Sequence, residues 1–241
     1  MDASADLSGA INGQAKGRSA EGPLDGGHDA NEARLAAYYN QRARTMRPFP
    51  ITSQRVAHRE AFIHLLKAEA RRSVLEIGCG VGIEGLEFVR AGIHYTGVDL
   101  SEESVHQARA RRLEASVASG RSLPFAPATF HSLWTMSTLL HVPNSAIDEV
   151  LAEMVRVAQP GAPIAVGLWS GEDEEVLNPE DVIDPPRFFS RRSDATVLRI
   201  FGAHGSVESF ETWPEGAGRD SGPGAGAWEQ HYQYLILRTP S

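Results

Sequence analysis

The sequence predicts an α/β fold built on a mostly parallel sheet, and two observations support this prediction. From residue 31 onward, short apolar runs such as RSVLEIG and PIAVGLWS alternate with segments of helical period. Such alternation is typical of a parallel sheet joined by right-handed crossovers. In addition, the first apolar run leads into a stretch with four glycines, VLEIGCGVGIEG. Because glycine weakens regular backbone, a cluster at a strand exit indicates a sharp turn or close contact with a ligand.

Two amphipathic helices are expected before this run. In NEARLAAYYNQRARTM, Leu35, Tyr38 and Tyr39 can share one face, and in SQRVAHREAFIHLLKAEA apolar residues recur at helical spacing. The prolines of RPFP separate the two segments. After the glycine-rich stretch, the expected order is helix EGLEFVRAG, strand HYTGVDL, a helix over residues 101–113, strands ASVAS and FHSLWTM, helix SAIDEVLAEMVRVA and strand PIAVGLWS.

The C-terminal part changes character. Residues 171–192, GEDEEVLNPEDVIDPPRFFSRR, are acidic and interrupted by prolines, so we expect a surface excursion. SDATVLRIFGAHG predicts a helix that begins at Ser193 or Asp194. SVESFETW and HYQYLILRT are strand-like and are joined by a long Gly/Pro-rich stretch, which predicts an antiparallel hairpin at a sheet edge.

The composition suits one globular domain: 241 residues, of which 41% are hydrophobic and 22% charged. The formal net charge of −8 argues against nucleic acid or an anionic membrane as the partner. Cys79 is the only cysteine in the sequence, so no intrachain disulfide can form and a reducing, cytoplasmic location is expected. No apolar stretch approaches the ~20 residues of a membrane-spanning helix. No His, Cys and Asp cluster has metal-ligand spacing, so no metal site is expected.

The glycine-rich turn and a later acid indicate a nucleoside-bearing cofactor. In an open α/β sheet, ligands bind beyond the carboxyl ends of the strands, and the first strand-to-helix turn is the usual place. Gly78, Gly80 and Gly82 would let the backbone pass close to a bulky ligand. Asp99 ends the next strand, 21 residues after Gly78, where an acid can accept hydrogen bonds from ribose hydroxyls.

The glycines alone leave the type of cofactor open. They fit G-x-G-x-G from Gly78, and they also fit the dinucleotide pattern G-x-G-x-x-G from Gly80 to Gly85. Glu76 favours the first pattern, because a carboxylate near the phosphates of a dinucleotide would be repelled. The same carboxylate would suit a cofactor with a positive charge, and S-adenosylmethionine carries both a sulfonium and an ammonium group.

Four motifs occur in a fixed order: VLEIGCGVG, YTGVDLS, LPFAPATFHSLWTMSTLLHV and LAEMVRVAQPGAPIAVGLW. Together they resemble the class I S-adenosylmethionine-dependent methyltransferases, and within them the small-molecule branch that includes the ubiquinone/menaquinone-biosynthesis type. The resemblance covers about residues 74–169. It implies a Rossmann-like three-layer sandwich, a seven-stranded sheet with an antiparallel last strand, S-adenosylmethionine as cofactor, and methyl transfer to an O, N or C atom of a small-molecule acceptor.

The resemblance also implies a role for each matching residue. Glu76 would orient the glycine loop and the methionine ammonium group, and Asp99 would bind the ribose hydroxyls. The other residues implied at the cofactor are Gly78, Cys79, Gly80 and Gly82 in the loop, Leu100 beside the adenine, Ser119, Gly120 and Arg121 along the adenine edge, and Thr135 and Met136 near the transferred methyl group. Cys79 would be a small, core-facing residue rather than a nucleophile. Ser119 departs from the family, which often has an acid there to contact the adenine amino group.

Two further residues have a functional and a structural interpretation. Tyr39 would either close over the cofactor or simply pack the N-terminal helix. His141 follows the fourth strand on the rim where a substrate would lie, and imidazole titrates near neutrality, so it is the candidate general base. The alternative for His141 is a packing position.

The domain organisation expected from these patterns has two parts. Residues 1–30 are rich in Gly, Ala, Ser and Asp and are expected to be a disordered tail. Residues 31–241 would form a single methyltransferase domain, with cap helices over residues 31–70 and an insertion on the substrate side over residues 171–192. A small-molecule methyl acceptor is the expected partner, and a homodimer is left open.

Two alternatives to a methyltransferase remain at this point. One is a relative that binds the cofactor without catalysis, which the departure at Ser119 keeps open. The other is a nicotinamide-dependent oxidoreductase that uses the G-x-G-x-x-G pattern, although the chain lacks a Tyr-x-x-x-Lys pair.

Overall fold

The computed structural model describes residues 27–48, 51–214 and 231–241. Helix α1 spans Gly27–Thr45, so it begins four residues before the predicted boundary at residue 31. Residues 1–26 of the expected tail lie outside the described residues. The same holds for residues 215–230, the stretch expected to link the last two strands.

One seven-stranded sheet organises the chain. Its strands are β1 Ser73–Ile77, β2 His94–Asp99, β3 Glu114–Val117, β4 Leu133–Met136, β5 Pro163–Trp169, β8 Ser206–Pro214 and β9 His231–Arg238. Their spatial order is β3-β2-β1-β4-β5-β9-β8. The pairs from β3 to β5 are parallel, whereas β9 runs antiparallel to both of its neighbours, β5 and β8. The predicted sheet, with its antiparallel last strand, is confirmed.

Helices cover both faces of the sheet. The remaining helices are α2 Ser53–Ala68, α3 Ile83–Arg90, α4 Glu102–Ala110, α5 Ile147–Val157 and α6 Asp194–Gly202. Apolar residues of α2, α3 and α4 share one core cluster, and those of α5 and α6 share the other. Ser101 and Ser193 are the N-caps of α4 and α6. The hydroxyl of each accepts a hydrogen bond from the backbone N–H of the residue three positions later.

Sequence periodicity accounts for the best-buried helix. In α5, Ile147, Val150, Leu151, Met154 and Val157 are each at most 1% exposed. Their spacing of three or four residues puts them on one face of the helix. Burial of each such side chain contributes about 1.5–3 kcal/mol, which holds α5 against the sheet.

Two additions close the carboxyl end of the sheet. Helix α1 is tied to α4 because Asn40 accepts hydrogen bonds from the Ser101 hydroxyl and the Glu103 amide. Strands β6 Glu174–Leu177 and β7 Phe188–Arg191 form a separate antiparallel hairpin within the predicted surface excursion. Local sequence did not predict this hairpin, because its strands are short and flanked by acidic residues and prolines.

Candidate active site

A large cavity lies at the carboxyl ends of the parallel strands. Its volume is about 1760 Å³, and its walls come from β1, β2 and β4 together with α1 and the β6–β7 hairpin. Ligand pockets typically measure about 300–1,000 Å³, so this cavity has room for more than one small molecule. Its position is the one where open α/β sheets bind ligands.

The turn after β1 needs glycine for two different reasons. Gly78 and Gly80 have φ angles of +76° and +52°, in the left-handed region that favours glycine. A Cβ atom on Gly78 would lie 2.0 Å from Oγ1 of Thr138, so the turn packs tightly there. Gly80 lines the cavity, and a Cβ atom added there would meet nothing within 4 Å. This position therefore leaves open space for a ligand.

Gly82 shares the left-handed backbone, with a φ angle of +81°, and both Gly82 and Gly85 are also required by close packing. A Cβ on Gly82 would lie 2.4 Å from Leu113, and Gly82 is not among the residues that line the cavity. A Cβ on Gly85 would lie 2.5 Å from the ring of Tyr95. Gly82 therefore has a structural role in the turn, and its predicted approach to the cofactor stays a prediction. Gly85, the last glycine of the dinucleotide-like spacing, is thus explained by packing against Tyr95.

Glu76 is a buried carboxylate at the cavity wall. It is 2% exposed, and its Oε2 accepts a hydrogen bond of 2.6 Å from the Tyr95 hydroxyl. Burial, together with the nearby Glu84, raises the pKa of Glu76 to about 8, although the Tyr95 bond opposes this shift. An ammonium group placed beside Glu76 would restore its charged form.

Asp99 anchors the glycine turn from the end of β2. Its Oδ2 accepts the Gly80 amide at 2.8 Å, and its Oδ1 accepts the Ser101 amide at 2.9 Å. Burial raises the pKa of Asp99, and these backbone bonds partly oppose the shift. A carboxylate has about four lone-pair sites, so Asp99 keeps acceptor capacity for a ligand hydroxyl. Leu100 lines the cavity beside it.

At the loop after β3, the structure changes the predicted contacts. Gly120 and Arg121 line the cavity, whereas Ser119 does not. The Ser119 hydroxyl instead donates a hydrogen bond of 2.6 Å to Glu32 of α1, and Glu32 lines the cavity. An acidic side chain therefore reaches this part of the cavity from α1, 87 residues earlier in the chain than Ser119. No local pattern could have indicated Glu32, because only the packing of α1 brings it here.

Of the two residues predicted near the transferred methyl group, only one faces the cavity. Met136 lines it, together with Ser137 and Thr138. Thr135 is 0% exposed and is not among the lining residues. Successive side chains of a strand point to opposite faces of the sheet. Since Met136 faces the cavity, Thr135 points to the core on the opposite face of the sheet. The prediction for Thr135 is corrected accordingly.

Cys79 lines the cavity but is poorly suited to nucleophilic chemistry. It is 5% exposed, and burial, helped by Asp99 and Glu76, raises the pKa of its thiol well above the usual value. The thiolate is the reactive form of cysteine, and this environment suppresses it.

His141 lies on the cavity rim, but its ring is buried and hydrogen-bonded, unlike that of an accessible general base. It is 7% exposed, its Nδ1 lies 2.7 Å from the Phe188 carbonyl, and its Nε2 lies 2.8 Å from the Tyr39 hydroxyl. Burial lowers the pKa of His141 to about 4. The prediction of a base that titrates near neutrality is corrected: the ring is neutral, and both nitrogens already have partners.

Tyr39 and Arg187 stand together at the cavity wall. Burial raises the pKa of Tyr39, and the nearby Arg187 guanidinium opposes the shift. Arg187 also stacks over the ring of Tyr38 at 4.7 Å and is held by Asp181, whose Oδ2 lies 2.9 Å from its Nε. The hairpin therefore brings a guanidinium to α1, a contact that sequence reasoning missed.

Two negative findings concern the described residues alone. Within residues 27–48, 51–214 and 231–241, no group of three or more His, Cys, Asp and Glu side chains is arranged to hold a metal ion. In the same ranges, no helix has the length and apolar character to cross a bilayer.

Comparison with known proteins gives a consistent result. Residues 74–161 match the family model described as a methyltransferase domain. The ubiquinone biosynthesis O-methyltransferase of Hahella chejuensis is 36% identical over 108 residues, which are 42% of this chain and 44% of that protein. Methyltransferase GfsG of Streptomyces halstedii is 30% identical over 116 residues, 44% of this chain and 41% of that protein. The chain thus spans less than half the length of these curated relatives.

A solved structure extends the likeness to nearly the whole fold. It is the 1,6-didemethyltoxoflavin-N1-methyltransferase of Burkholderia thailandensis with bound 1,6-didemethyltoxoflavin and S-adenosylhomocysteine. The TM-score is 0.64 at 19% identity, and the match covers 92% of this chain and 93% of that chain. Residues 74–161 thus match a methyltransferase domain, and the chain has the fold of this solved methyltransferase.

Proposed function

We propose that this protein transfers the methyl group of S-adenosylmethionine to an O, N or C atom of a small-molecule acceptor. One observation carries the proposal: a single cavity joins the two carboxylates of Glu76 and Asp99 to Met136 and to the strand ends beyond it. The similar proteins support the same chemistry: one is a ubiquinone biosynthesis O-methyltransferase, and the solved structure holds 1,6-didemethyltoxoflavin.

The residues present fit the cofactor. Gly80 offers open space at a backbone position that only glycine adopts easily, which suits a ligand pressed against the turn. Asp99 keeps acceptor sites for ribose hydroxyls, and Glu76 is a buried acid whose charge an ammonium group would stabilise. In this proposal, Leu100, Gly120 and Arg121 border the adenine, and Cys79 contributes only its small volume.

The bound cofactor would supply an activated methyl group, because a sulfonium is a strong methyl donor. The protein's task is then to hold the acceptor atom in line with the breaking bond, about 3–3.5 Å from the methyl carbon. Met136 borders this point. Tyr39 donates its proton to neutral His141, so its oxygen offers only lone pairs; one faces Arg187, and the other would accept an O–H or N–H group of the acceptor.

The first experiment is a binding measurement on the purified full-length chain. We expect calorimetry to detect binding of S-adenosylmethionine and S-adenosylhomocysteine, and D99A to weaken both at least tenfold by loss of the ribose contacts. NAD⁺ serves as the control ligand, with no binding expected. Binding of NAD⁺ without binding of S-adenosylmethionine would overturn the proposal.

A second experiment separates catalysis from mere binding. Formation of S-adenosylhomocysteine is followed with a panel of phenols, catechols, hydroxylated heterocycles and amines. Turnover of any acceptor supports methyl transfer. Tight cofactor binding with no turnover across the panel would favour the non-catalytic alternative.

The same proposal includes the organisation around the reaction. The segment over residues 31–70 provides the cap helices and residues 171–192 a wall on the acceptor side, and residues of both segments border the cavity. The proposal also includes a cytoplasmic location and assembly as a homodimer, and it includes no nucleic-acid partner. Light scattering of the purified chain tests the homodimer, and fractionation of the producing cells tests the location.

A further inference from the structure

Three aromatic residues form a row across the acceptor half of the sheet. Trp169 of β5 is the direct cross-strand partner of Tyr232 of β9, and Tyr232 is the partner of Trp213 of β8. Side chains of direct partners lie on the same face of a sheet. The ring centroids of Trp169 and Tyr232 are 4.9 Å apart, and those of Tyr232 and Trp213 are 5.0 Å apart. We call these three residues the aromatic row.

The aromatic row reaches the place where the methyl group would be transferred. The hydroxyl of Tyr232 lies 3.1 Å from Oγ of Ser137 and 3.9 Å from the sulfur of Met136. Gly167 makes this approach possible, because a Cβ there would lie 2.4 Å from that hydroxyl and 2.5 Å from that sulfur. The cofactor side of the cavity is built on β1 and β2, so the row borders the half that is left for the acceptor.

The two tryptophans of the row differ from the aromatic residues of the core, among which Tyr232 is itself buried. Trp134 is 0% exposed and surrounded by Phe62, Phe88 and Tyr234. Trp169 and Trp213 are only partly buried, and both line the cavity, as does Tyr232. The ring of His58 stacks on Trp213 with the ring centroids 4.8 Å apart, which restrains that indole. A fixed, partly open aromatic wall is suited to contact with another ring system.

We propose that the aromatic row is the acceptor-binding wall, and that the acceptor is a planar aromatic or heteroaromatic small molecule that packs against it. This inference rests on the proposed methyltransferase function, and it names the class of acceptor. Aromatic rings prefer offset-stacked or edge-to-face contact with other aromatic rings, whereas a saturated ring system of similar size lacks these electrostatic preferences. A planar acceptor should therefore bind more tightly than its saturated counterpart.

The test compares two probes of matched size, 2-naphthol and decahydro-2-naphthol. Their affinities for the full-length protein are measured by calorimetry, with and without saturating S-adenosylhomocysteine. We expect the wild type to prefer 2-naphthol by about fivefold or more, the scale of one aromatic contact. W169L and W213L should reduce the preference to within about twofold, whereas W169F and W213F should keep it.

The outcomes separate this inference from the proposed function. Equal affinity for the two probes, or no binding of either by the wild type, overturns the inference. So does an unchanged preference in Leu variants that still bind S-adenosylhomocysteine as the wild type does. If the Leu variants fail to fold, the inference is tested by the preference of the wild type for 2-naphthol and by whether W169F and W213F keep that preference. If the protein prefers 2-naphthol but binds no S-adenosylhomocysteine, the inference about the aromatic row is supported and the proposed function is overturned.

Discussion

The hydroxyl of Tyr39 lies 2.8 Å from Nε2 of His141, and this contact determines the state of the histidine. The Phe188 carbonyl, 2.7 Å from Nδ1, can only accept, so the ring proton of neutral His141 sits on Nδ1. Nε2 must then accept the proton of Tyr39. Because burial also lowers the pKa of His141 to about 4, the pair acts as a fixed hydrogen-bond chain rather than as a free base.

We therefore expect no titration of His141 between pH 5 and 8. Long-range ¹⁵N–¹H spectra of histidine rings should show a protonated Nδ1 and an unprotonated Nε2 throughout this range, with the exposed ring of His94 as reference signal. Y39F should cost about 1–2 kcal/mol of stability, because it leaves a buried nitrogen without its donor. A His141 midpoint between pH 6 and 7 would contradict this arrangement.

Glu76 should release a proton when the cofactor binds near pH 7. Its raised pKa of about 8 keeps it mostly protonated in the free protein, and a neighbouring ammonium group would lower that pKa. Calorimetry with S-adenosylhomocysteine in buffers of different ionisation enthalpy should report about 0.5–1 proton released per site. E76Q, which has no proton to lose, should report none.

The same group should make stability depend on pH. The pKa of Glu76 is higher in the folded than in the unfolded state, so folded protein holds the extra proton and stability falls as pH rises toward about 8. The pKa of His141 is lowered by folding, so its contribution is complete above its ordinary value of 6.5. Between pH 6.5 and 8, the ligand-free wild type should lose about 1–2 kcal/mol that E76Q does not lose. Parallel pH profiles of the two proteins would contradict this.

Gly78 and Gly80 should respond differently to alanine. Both need a left-handed backbone, which costs alanine about 1–2 kcal/mol. G78A adds a collision with Thr138, so it should be the less stable of the two in urea unfolding. G80A places its methyl group in open cavity space, so it should lose S-adenosylhomocysteine affinity about tenfold or more while remaining folded. Equal affinity of G80A and wild type would exclude contact between this turn and the cofactor.

Glu32 should contribute to recognition of the adenine amino group. Its carboxylate lies on the cavity wall beside Gly120, bonded to Ser119. We expect the wild type to bind S-adenosylhomocysteine at least about tenfold more tightly than S-inosylhomocysteine, which lacks that amino group. E32A should reduce the difference. E149A is the matched control, because Glu149 pairs with Arg121 but does not line the cavity. An identical preference in E32A and E149A would argue against this role.

The Asp181–Arg187 pair should hold the β6–β7 hairpin in place. The side chain of Asp181 is 3% exposed and that of Arg187 is 15% exposed, so removal of the acid leaves a guanidinium poorly solvated. D181N should therefore cost about 2–4 kcal/mol in denaturant unfolding. E174Q removes an acid from a more exposed pair of the same hairpin, and it should cost less than about 1 kcal/mol. Similar losses in both variants would contradict the assigned role of Asp181.

The sequence by itself determined the main sheet and the position of the glycine turn and Asp99 at its carboxyl end. Periodicity predicted each strand of the main sheet, because one-sided or complete burial leaves a repeating apolar pattern in local sequence. The glycine turn and Asp99 were also readable, since the chain places them at adjacent strand ends and the fold class specifies where such ends lie. These features depend on residues that are close in sequence or fixed by topology.

Only the tertiary structure decided the rest. Glu32 reaches Ser119, and Arg187 reaches Tyr38, through packing of segments that are far apart in the chain, and no local pattern encodes such contacts. The roles of single side chains likewise depended on environment. Thr135 turned away from the cavity because of its position in the strand, and His141 lost its basic character because burial and two partners fix its neutral form. Residue type indicates what a group can do, but its surroundings set its charge and its access.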